Sequence, residues 1–488
     1  MAKTKSEVPL YEALSHYAQE VLSPFHAPGH MMGRGTCGEI QEIISSKGLK
    51  LDVSQILGLD DIHYSDGCTG EAQRLAAEYF GSDKTYFLIN GSTCGNQAMF
   101  MAALSPGDKV ILPRALHSSI QAGLILSGAH PVYAKCPYDG LMGVSLSAEV
   151  GEFERLQREE PQVKAWAVTS VTAYGSCADV ESLSNKAHAN DLPLLVDEAW
   201  GPHFGSAPGL PPSAIKEGAD IVVHSAHKLL PSALSQGAFL HLCSKRIGVE
   251  RLTSALHMLQ STSPSYLLLL SLDLARRDLE MQGQKFWERS LEKADYLRGY
   301  ISDLPGFKVM GKGRSHDYDR TRLVINGLDL GLSGIGLEST LRYRFGIQCE
   351  MSDLANVVLL INDSHNEEDL TRLCKALKEI SSEPHDWIAK ENVKLPFQLL
   401  DKLALPDFPE IVMTPREAYF APKRRVSWSK AVGEVCGELI TPYPPGMALL
   451  CPGEKIGKEH REYLQKLHKM GILIDGLSDP YLESVYIL

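Results

Sequence analysis

Short apolar runs, many of them β-branched, alternate between about residue 84 and residue 242 with stretches long enough to hold a crossover helix. This alternation is typical of a parallel sheet that is covered by helices on both faces. Turn-forming stretches such as Ser105-Pro106-Gly107-Asp108 separate the runs. The predicted fold class is therefore α/β, with a mostly parallel seven-stranded sheet. The predicted strands are Thr85 to Ile89, Lys109 to Leu112, Pro131 to Ala134, Ala165 to Thr169, Pro193 to Val196, Asp220 to His224 and Gly237 to Leu242.

The chain has 488 residues, enough for about two to four domains. From about Leu267 to Leu304, apolar residues recur at helical spacing, which predicts a long helix leading out of the large domain. Strand and helix patterns return from Phe307 to about Ile380, and a polar, proline-containing stretch around Ser381 to Pro409 indicates a linker. The predicted units are an N-terminal segment (1–30), a large domain (31–290), a small α/β domain (291–385) and a C-terminal α+β domain (386–488).

Charge and apolar patterning argue against several classes of protein. The 48 basic and 60 acidic residues give a net charge of −12, which opposes nonspecific nucleic-acid binding because that binding neutralises phosphates with basic side chains. The longest strongly apolar run, within Tyr266 to Ala275, is interrupted by Ser271 and Asp273 and is too short for a bilayer span. The N-terminus has no secretory pattern, and the ten cysteines form no CxxC pair. We expect a cytoplasmic protein with no metal site and no membrane partner.

Two polar residues follow predicted strands in positions that suit chemistry. Lys228 comes just after the sixth run, where partial burial would lower its pKa and allow an imine with a carbonyl; the alternative is an ordinary lysine extending to solvent. Asp197 ends the fifth run, at the edge where open α/β sheets bind ligands. A carboxylate there can keep a pyridine nitrogen protonated, or it can simply cap a helix.

Two further strand ends complete a pattern. Gly91-Ser92-Thr93 precedes an apolar helical stretch, so its amides and hydroxyls could cradle a phosphate or form an ordinary capped turn. It is not a Walker loop, since no GxxxxGK[ST] is present. His117 follows the second run, where an imidazole could stack on an aromatic ring or serve a structural role. A phosphate cradle, an imidazole, a carboxylate and a lysine, each placed after a strand, together predict a pyridoxal 5'-phosphate (PLP) site.

The chain resembles the bacterial class I ornithine/lysine/arginine decarboxylases, which are fold-type I PLP enzymes, and in particular their short form. The likeness covers nearly the whole chain. The motifs that carry it are FHAPGH at 25–30, GLDDIH at 58–63, EAQRLAAEYFG at 71–81, NGSTCGN at 90–96, VDEAWGPHF at 196–204, SAHKLLPSALSQGA at 225–238, STSPSY at 261–266, TPREAYFAP at 414–422 and TPYPPG at 441–446.

The resemblance implies a role for each matching residue. Lys228 would hold the cofactor as an imine, Asp197 would pair with the pyridine nitrogen, and His117 would stack on the ring. The other implied cofactor contacts are Ser92, Thr93, Ser225 and His227 around the phosphate and Ala199 beneath the ring. In this family STSPSY comes from the neighbouring subunit, so Ser263 is expected to act in trans and the active unit to be a homodimer, with further assembly left open.

The implied reaction is decarboxylation of a basic L-amino acid, with arginine favoured and lysine or ornithine as alternatives. The sequence leaves the proton donor to Cα open among Lys228, His227 and a nearby cysteine. Acids available for a cationic substrate end are Glu350, Asp353 and Glu417. Met31 and Trp200 depart from the pattern of many short-form relatives and bear on substrate choice.

Two other functional classes stay open from the sequence. One is a fold-type I aminotransferase or lyase with the same site; Arg342 or Arg344 could then bind the substrate carboxylate. The other is a non-catalytic relative that keeps the fold. If the host is a photosynthetic eukaryote, a plastid stroma is the alternative location.

Overall fold

The computed structural model describes residues 23–25, 34–35, 37–42, 60–313, 315–383, 406–443, 448–470 and 473–488. All seven predicted strands of the large sheet are confirmed, each end within one residue of its prediction. Their bounds are β1 (Lys84–Leu88), β2 (Lys109–Pro113), β3 (His130–Ala134), β4 (Ala165–Thr169), β5 (Leu194–Asp197), β6 (Ile221–His224) and β7 (Ala238–Leu242).

The strands lie in the order β1-β7-β6-β5-β4-β2-β3. Six of them run in one direction, and β7 is antiparallel to both of its neighbours. The chain between β6 and β7 contains only the one-turn helix Ala226–Leu229 and therefore returns without a crossover helix. The helices of this domain are α1 (Cys68–Phe80), α2 (Gly91–Ala103), α3 (Ser118–Ser127), α4 (Val150–Glu159), α5 (Val180–Ala189) and α6 (Val249–Leu259).

Alternate residues of the strands enter two separate apolar cores, one on each face of the sheet. In β5, Leu194 and Val196 belong to one core and Leu195 belongs to the other. This alternation follows from the two-residue repeat of a strand. The sheet is thus buried on both faces, which leaves its edges and strand ends as the places where polar side chains can meet a ligand.

The predicted long helix is α7 (Tyr266–Ser302), which links two cores. Trp287 packs in the large-domain core, whereas Ala294 and Leu297 pack in the core of the small domain. The small domain has a four-stranded sheet in the order β8-β9-β11-β10 in which every pairing is antiparallel. Its elements are β8 (Lys308–Val309), β9 (Arg322–Asn326), α8 (Gly334–Phe345), β10 (Met351–Ser352), β11 (Asn356–Leu360) and α9 (Glu367–Ser382).

The C-terminal region has its own apolar core, which includes Trp428, Leu450 and Val485. Its first helix begins with a capping box in which Thr414 and Glu417 satisfy each other's backbone N–H groups. The elements are α10 (Pro415–Phe420), β12 (Arg424–Ser427), β13 (Thr441–Tyr443), α11 (Lys458–Lys469), β14 (Leu473–Asp475) and β15 (Ser484–Ile487). Most of the predicted linker and the Pro444-Pro445-Gly446 stretch lie outside the described residues, and the domain boundaries stay predictions.

Several shorter elements are also described, among them three pairs of short strands. They are Ser23–Phe25 with Ile347–Cys349, Tyr138–Asp139 with Val144–Ser145, and Ser176–Cys177 with Asp317–Tyr318, together with the short helix Gly38–Glu42. Within the described ranges, no helix combines the length and apolar character needed to cross a membrane. The same ranges contain no cluster of side chains arranged to bind a metal ion.

Candidate active site

The polar residues singled out in the sequence follow four strands that end at one edge of the sheet. Ser92 lies in the first turn of α2 after β1, His117 follows β2, Asp197 ends β5, and Lys228 lies in the one-turn helix after β6. Because these four strands run in the same direction, their carboxyl ends meet at that edge. The charges of Asp197 and Lys228 both act on His117, as expected of groups close in space.

Asp197 is 3% exposed, and both of its carboxylate oxygens accept a hydrogen bond. Asn96 Nδ2 donates to Oδ2 at 2.9 Å, and the backbone N–H of Ala199 donates to Oδ1 at 3.0 Å. These donors orient the carboxylate. Ala199 thus lies beside Asp197, and its expected place beneath the ring stays a prediction.

His117 is the N-cap of α3, and its Nδ1 accepts a hydrogen bond from the backbone N–H of Ser119 at 3.2 Å. Burial lowers the pKa of His117, the Asp197 charge opposes that effect, and the Lys228 charge adds to it. A neutral imidazole whose Nδ1 is an acceptor carries its proton on Nε2. Ser119 Oγ also lies 2.8 Å from this Nδ1 and accepts from Asn96 Nδ2 at 2.8 Å, so Asn96 connects the histidine to Asp197.

Burial lowers the pKa of Lys228 from 10.5 to about 8, although the negative charges of Asp197 and Glu350 act in the opposite direction. The amine Nζ lies 3.7 Å from the centroid of the Trp200 ring. A lysine with this pKa is neutral in roughly a tenth of molecules at pH 7, far more often than an ordinary lysine. This residue can therefore act as a nucleophile toward a carbonyl.

Hydroxyl groups surround the start of α2. Ser225 is fully buried, and its Oγ donates to Ser92 Oγ at 2.6 Å. Thr93 is exposed in the same turn. Gly91 has φ +70° and no atom within 4 Å of where a Cβ would lie, so the backbone leaves open space in front of this turn. Such a helix N-terminus suits an anionic group.

His227 binds to the backbone rather than to another side chain in the site. Its Nδ1 donates to the Gly237 carbonyl at 3.1 Å, which leaves Nε2 as the acceptor of the neutral ring. Burial lowers the pKa of His227. The neutral imidazole is therefore the dominant form at neutral pH.

Arg322, at the start of β9, is a site residue that sequence reasoning missed. It is fully buried, its guanidinium carbon lies 4.4 Å from the centroid of the Trp200 ring, and Nη2 donates to the Trp200 carbonyl at 2.8 Å. Through Arg322, the small domain thus contacts Trp200, whose ring lies against the Lys228 amine. An arginine that begins a strand has no distinguishing pattern, so no signal in the sequence could have identified it.

Other predicted residues have different surroundings. Ser263 is exposed in the loop before α7, and its N–H donates to Ser261 Oγ at 3.1 Å; its role in a partner's site stays a prediction. Asp353 is buried and accepts from the Tyr174 hydroxyl at 2.8 Å, and Glu417 caps α10. Met31 lies outside the described residues. Of the three acids considered for the substrate, Glu350 is the one whose charge acts on Lys228.

Comparison with known proteins identifies the family of this chain. The family model "Orn/Lys/Arg decarboxylase, major domain" matches residues 8–317, and the model "Orn/Lys/Arg decarboxylase, C-terminal domain" matches residues 397–479. An arginine decarboxylase of Bacillus subtilis (strain 168) is 35% identical over 99% of this chain and 98% of its own length.

Solved structures show the same fold. The E. coli constitutive lysine decarboxylase has a TM-score of 0.77 at 22% identity and covers 98% of this chain and 82% of its own. A structure described as "SPT with PLP", of a single-residue variant, has a TM-score of 0.58 at 15% identity and covers 74% of this chain and 88% of its own. The fold is thus that of fold-type I PLP enzymes, and the chain belongs to the Orn/Lys/Arg decarboxylase family.

Proposed function

We propose that this protein is a PLP-dependent carboxy-lyase that converts L-arginine into agmatine and carbon dioxide, a reaction of polyamine biosynthesis. The observation that carries the proposal is the meeting of a desolvated lysine, a buried carboxylate and a neutral imidazole at one sheet edge. The arginine decarboxylase of B. subtilis, similar over nearly its whole length, supports arginine as the substrate. Lysine and ornithine are the alternatives within the family.

The side chains at this edge fit PLP. Asp197 has both oxygens fixed by donors, as a partner for a ring nitrogen requires. The hydroxyls of Ser92 and Ser225 and the open backbone at Gly91 suit a phosphate. Lys228 has the low pKa that an amine needs to react with an aldehyde. When bound, PLP supplies an electron sink for the pair released as carbon dioxide leaves.

Each protein group then has a task. Asp197 would keep the ring nitrogen of a bound PLP protonated, and His117 would present a neutral imidazole to the ring. Ser92, Thr93, Ser225 and His227 would hold the phosphate, and Ala199 would pack against the ring. Lys228 would supply the amine that holds the cofactor.

Two ends of the substrate need protein groups. The carbon that loses its carboxylate takes up a proton, and Lys228, whose amine is mostly charged at pH 7, is the group at this edge that we propose as its donor. The distal guanidinium of arginine needs an anion, and Glu350 is the acid whose charge acts on both Lys228 and Arg322. We propose Glu350 for that end of the substrate.

The test is release of labelled carbon dioxide from carboxyl-labelled arginine, lysine and ornithine by protein supplied with PLP. We expect release from arginine, formation of agmatine, and loss of both in Lys228→Ala. Release from lysine or ornithine alone would move the assignment to that substrate. Formation of a keto acid without carbon dioxide would replace the decarboxylase with an aminotransferase, for which the buried small-domain Arg322 offers a carboxylate ligand.

We also propose a cytoplasmic homodimer in which Ser263 of each chain contacts the phosphate held by the other. Exposure of the 261–263 loop in a single chain supports this arrangement. Analytical ultracentrifugation of the PLP-bound protein tests it, and a monomer with full activity would exclude a shared site.

A further inference from the structure

Arg114 and Glu454 form a buried ion pair between the large domain and the C-terminal region. Arg114 directly follows β2 and is 5% exposed, and Glu454 is 2% exposed. The two Nη atoms of the guanidinium donate to the two carboxylate oxygens, with Nη2 2.8 Å from Oε2. Nε and Nη2 also donate to the carbonyl oxygens of Ala448 and Leu449, at 3.0 and 2.9 Å. All these bonds of the Arg114 side chain end on residues 448–454.

Neighbouring groups hold the pair rigidly. Glu454 Oε2 also accepts from the backbone N–H of Cys451 at 2.7 Å. The guanidinium carbon of Arg114 lies 4.5 Å from the centroid of the Tyr133 ring. Removal of either partner would leave the other charge buried without a counter-charge, and this would strongly destabilise the contact between the two regions. The pair therefore fixes the position of the C-terminal region relative to the end of β2.

A second contact with the C-terminal region lies at the far end of α3. Helix α10 packs against α3, and Arg416 Nη1 donates to the carbonyl oxygen of Leu126 at 2.9 Å. A cation at that position also complements the partial negative charge at a helix C-terminus. The C-terminal region thus contacts the chain on both sides of residues 115–125.

His117 lies between these two contacts. It is three residues after Arg114 and is the N-cap of α3. Through Ser119 and Asn96 it is connected by hydrogen bonds to Asp197. A shift of Arg114 or of α3 would therefore move the imidazole relative to the carboxylate across the site.

We propose that the C-terminal domain holds His117 in register with Asp197, with Arg114 and Glu454 as the positioning residues. This inference rests on the proposed function, because His117 has a partner to stack on when PLP is bound. The C-terminal domain then contributes to cofactor binding without contacting the cofactor.

The experiment compares Glu454→Gln and Arg114→Lys with unaltered full-length protein. PLP affinity is measured by absorbance titration, the ring environment by visible circular dichroism, and backbone opening of residues 114–127 by hydrogen exchange without PLP. We expect PLP affinity to fall roughly tenfold, within the usual range of coupling between distinct sites. We also expect a smaller dichroic band and faster exchange confined to residues 114–127.

The matched control is Arg155→Lys, which alters an arginine paired with Glu152 and Glu159 on exposed α4. Its PLP affinity and exchange should stay unchanged. Unaltered protein that binds no PLP would overturn the proposed function and this inference with it. If the unaltered protein binds PLP and a folded Glu454→Gln variant has the same PLP affinity, dichroism and exchange, this inference alone is overturned.

Arg416→Ala is the second variant in case the buried pair tolerates no change. Arg416 is exposed, and the contact of its side chain is with the Leu126 carbonyl among the described residues, so its loss should leave the domain folded. Faster exchange in residues 114–127 of this variant supports the proposal. Exchange equal to that of the unaltered protein overturns it.

Discussion

The lowered pKa of Lys228 can be measured in protein freed of PLP. Burial lowers it from 10.5 to about 8, which corresponds to about 3 kcal/mol against the charged amine. At pH 7.5 roughly a quarter of the molecules would then have a neutral amine, against about one in a thousand for an ordinary lysine. The rate of labelling by an amine reagent, followed at Lys228 by mass spectrometry, should rise with pH to a midpoint near 8.

Replacement of Asp197 by Asn tests the electrostatic part of this reasoning. The Asp197 carboxylate favours the charged amine, so its removal should lower the midpoint below 8, by about one pKa unit for a nearby charge. The control is Asp363→Asn, whose carboxylate pairs with Arg289 and Lys293 in another part of the molecule. This variant should keep the original midpoint.

Two results would refute the argument. A midpoint near 10.5 in the unaltered protein would mean that the amine is solvated and that burial does not activate it. A higher midpoint in Asp197→Asn would mean that the carboxylate does not act on Lys228 with the sign that the structure requires.

Three further predictions concern stability and assembly. Burial raises the pKa of Asp60, but backbone hydrogen bonds at the start of α1 outweigh it and bring the pKa to about 2. The stability that the ionised carboxylate adds, ~1 kcal/mol after solvent screening, is present above pH ~4 and is lost as the pH falls toward 2. The thermal midpoint of Asp60→Asn should therefore change less with pH across that window than the midpoint of the unaltered protein. Gly95→Ala should lower the free energy of unfolding in urea by about 1–3 kcal/mol, because a Cβ there would meet neighbouring side chains at 2.5 and 2.8 Å. Gly151→Ala, where a Cβ would meet open space, should raise it by ~0.5–1 kcal/mol. Equal effects of the two substitutions would contradict the packing. Mixing inactive Lys228→Ala chains with weakened Ser263→Ala chains should restore part of the activity if the sites are shared between subunits, and no recovery from exchanged dimers would refute the sharing.

The strands were predictable because their signal is local. Each of the seven runs is apolar over four to six residues and is bounded by turn formers, so burial on both faces follows from the residues themselves. The reversal of β7 was not predicted as such, because direction depends on whether the connection contains a crossover helix, and 225–237 has only one helical turn. The antiparallel pairing of the small sheet was likewise not predicted.

The order of residue types along the chain determined the α/β class, the strand ends that carry Asp197 and Lys228, and the chemistry that such groups can perform. Tertiary structure alone decided which groups stand beside them. Asn96 meets Asp197 across 101 residues, Arg322 reaches Trp200 across 122, and Arg114 meets Glu454 across 340. These contacts join single residues that belong to no repeating pattern, so their energy depends on a geometry that exists only once the domains have packed.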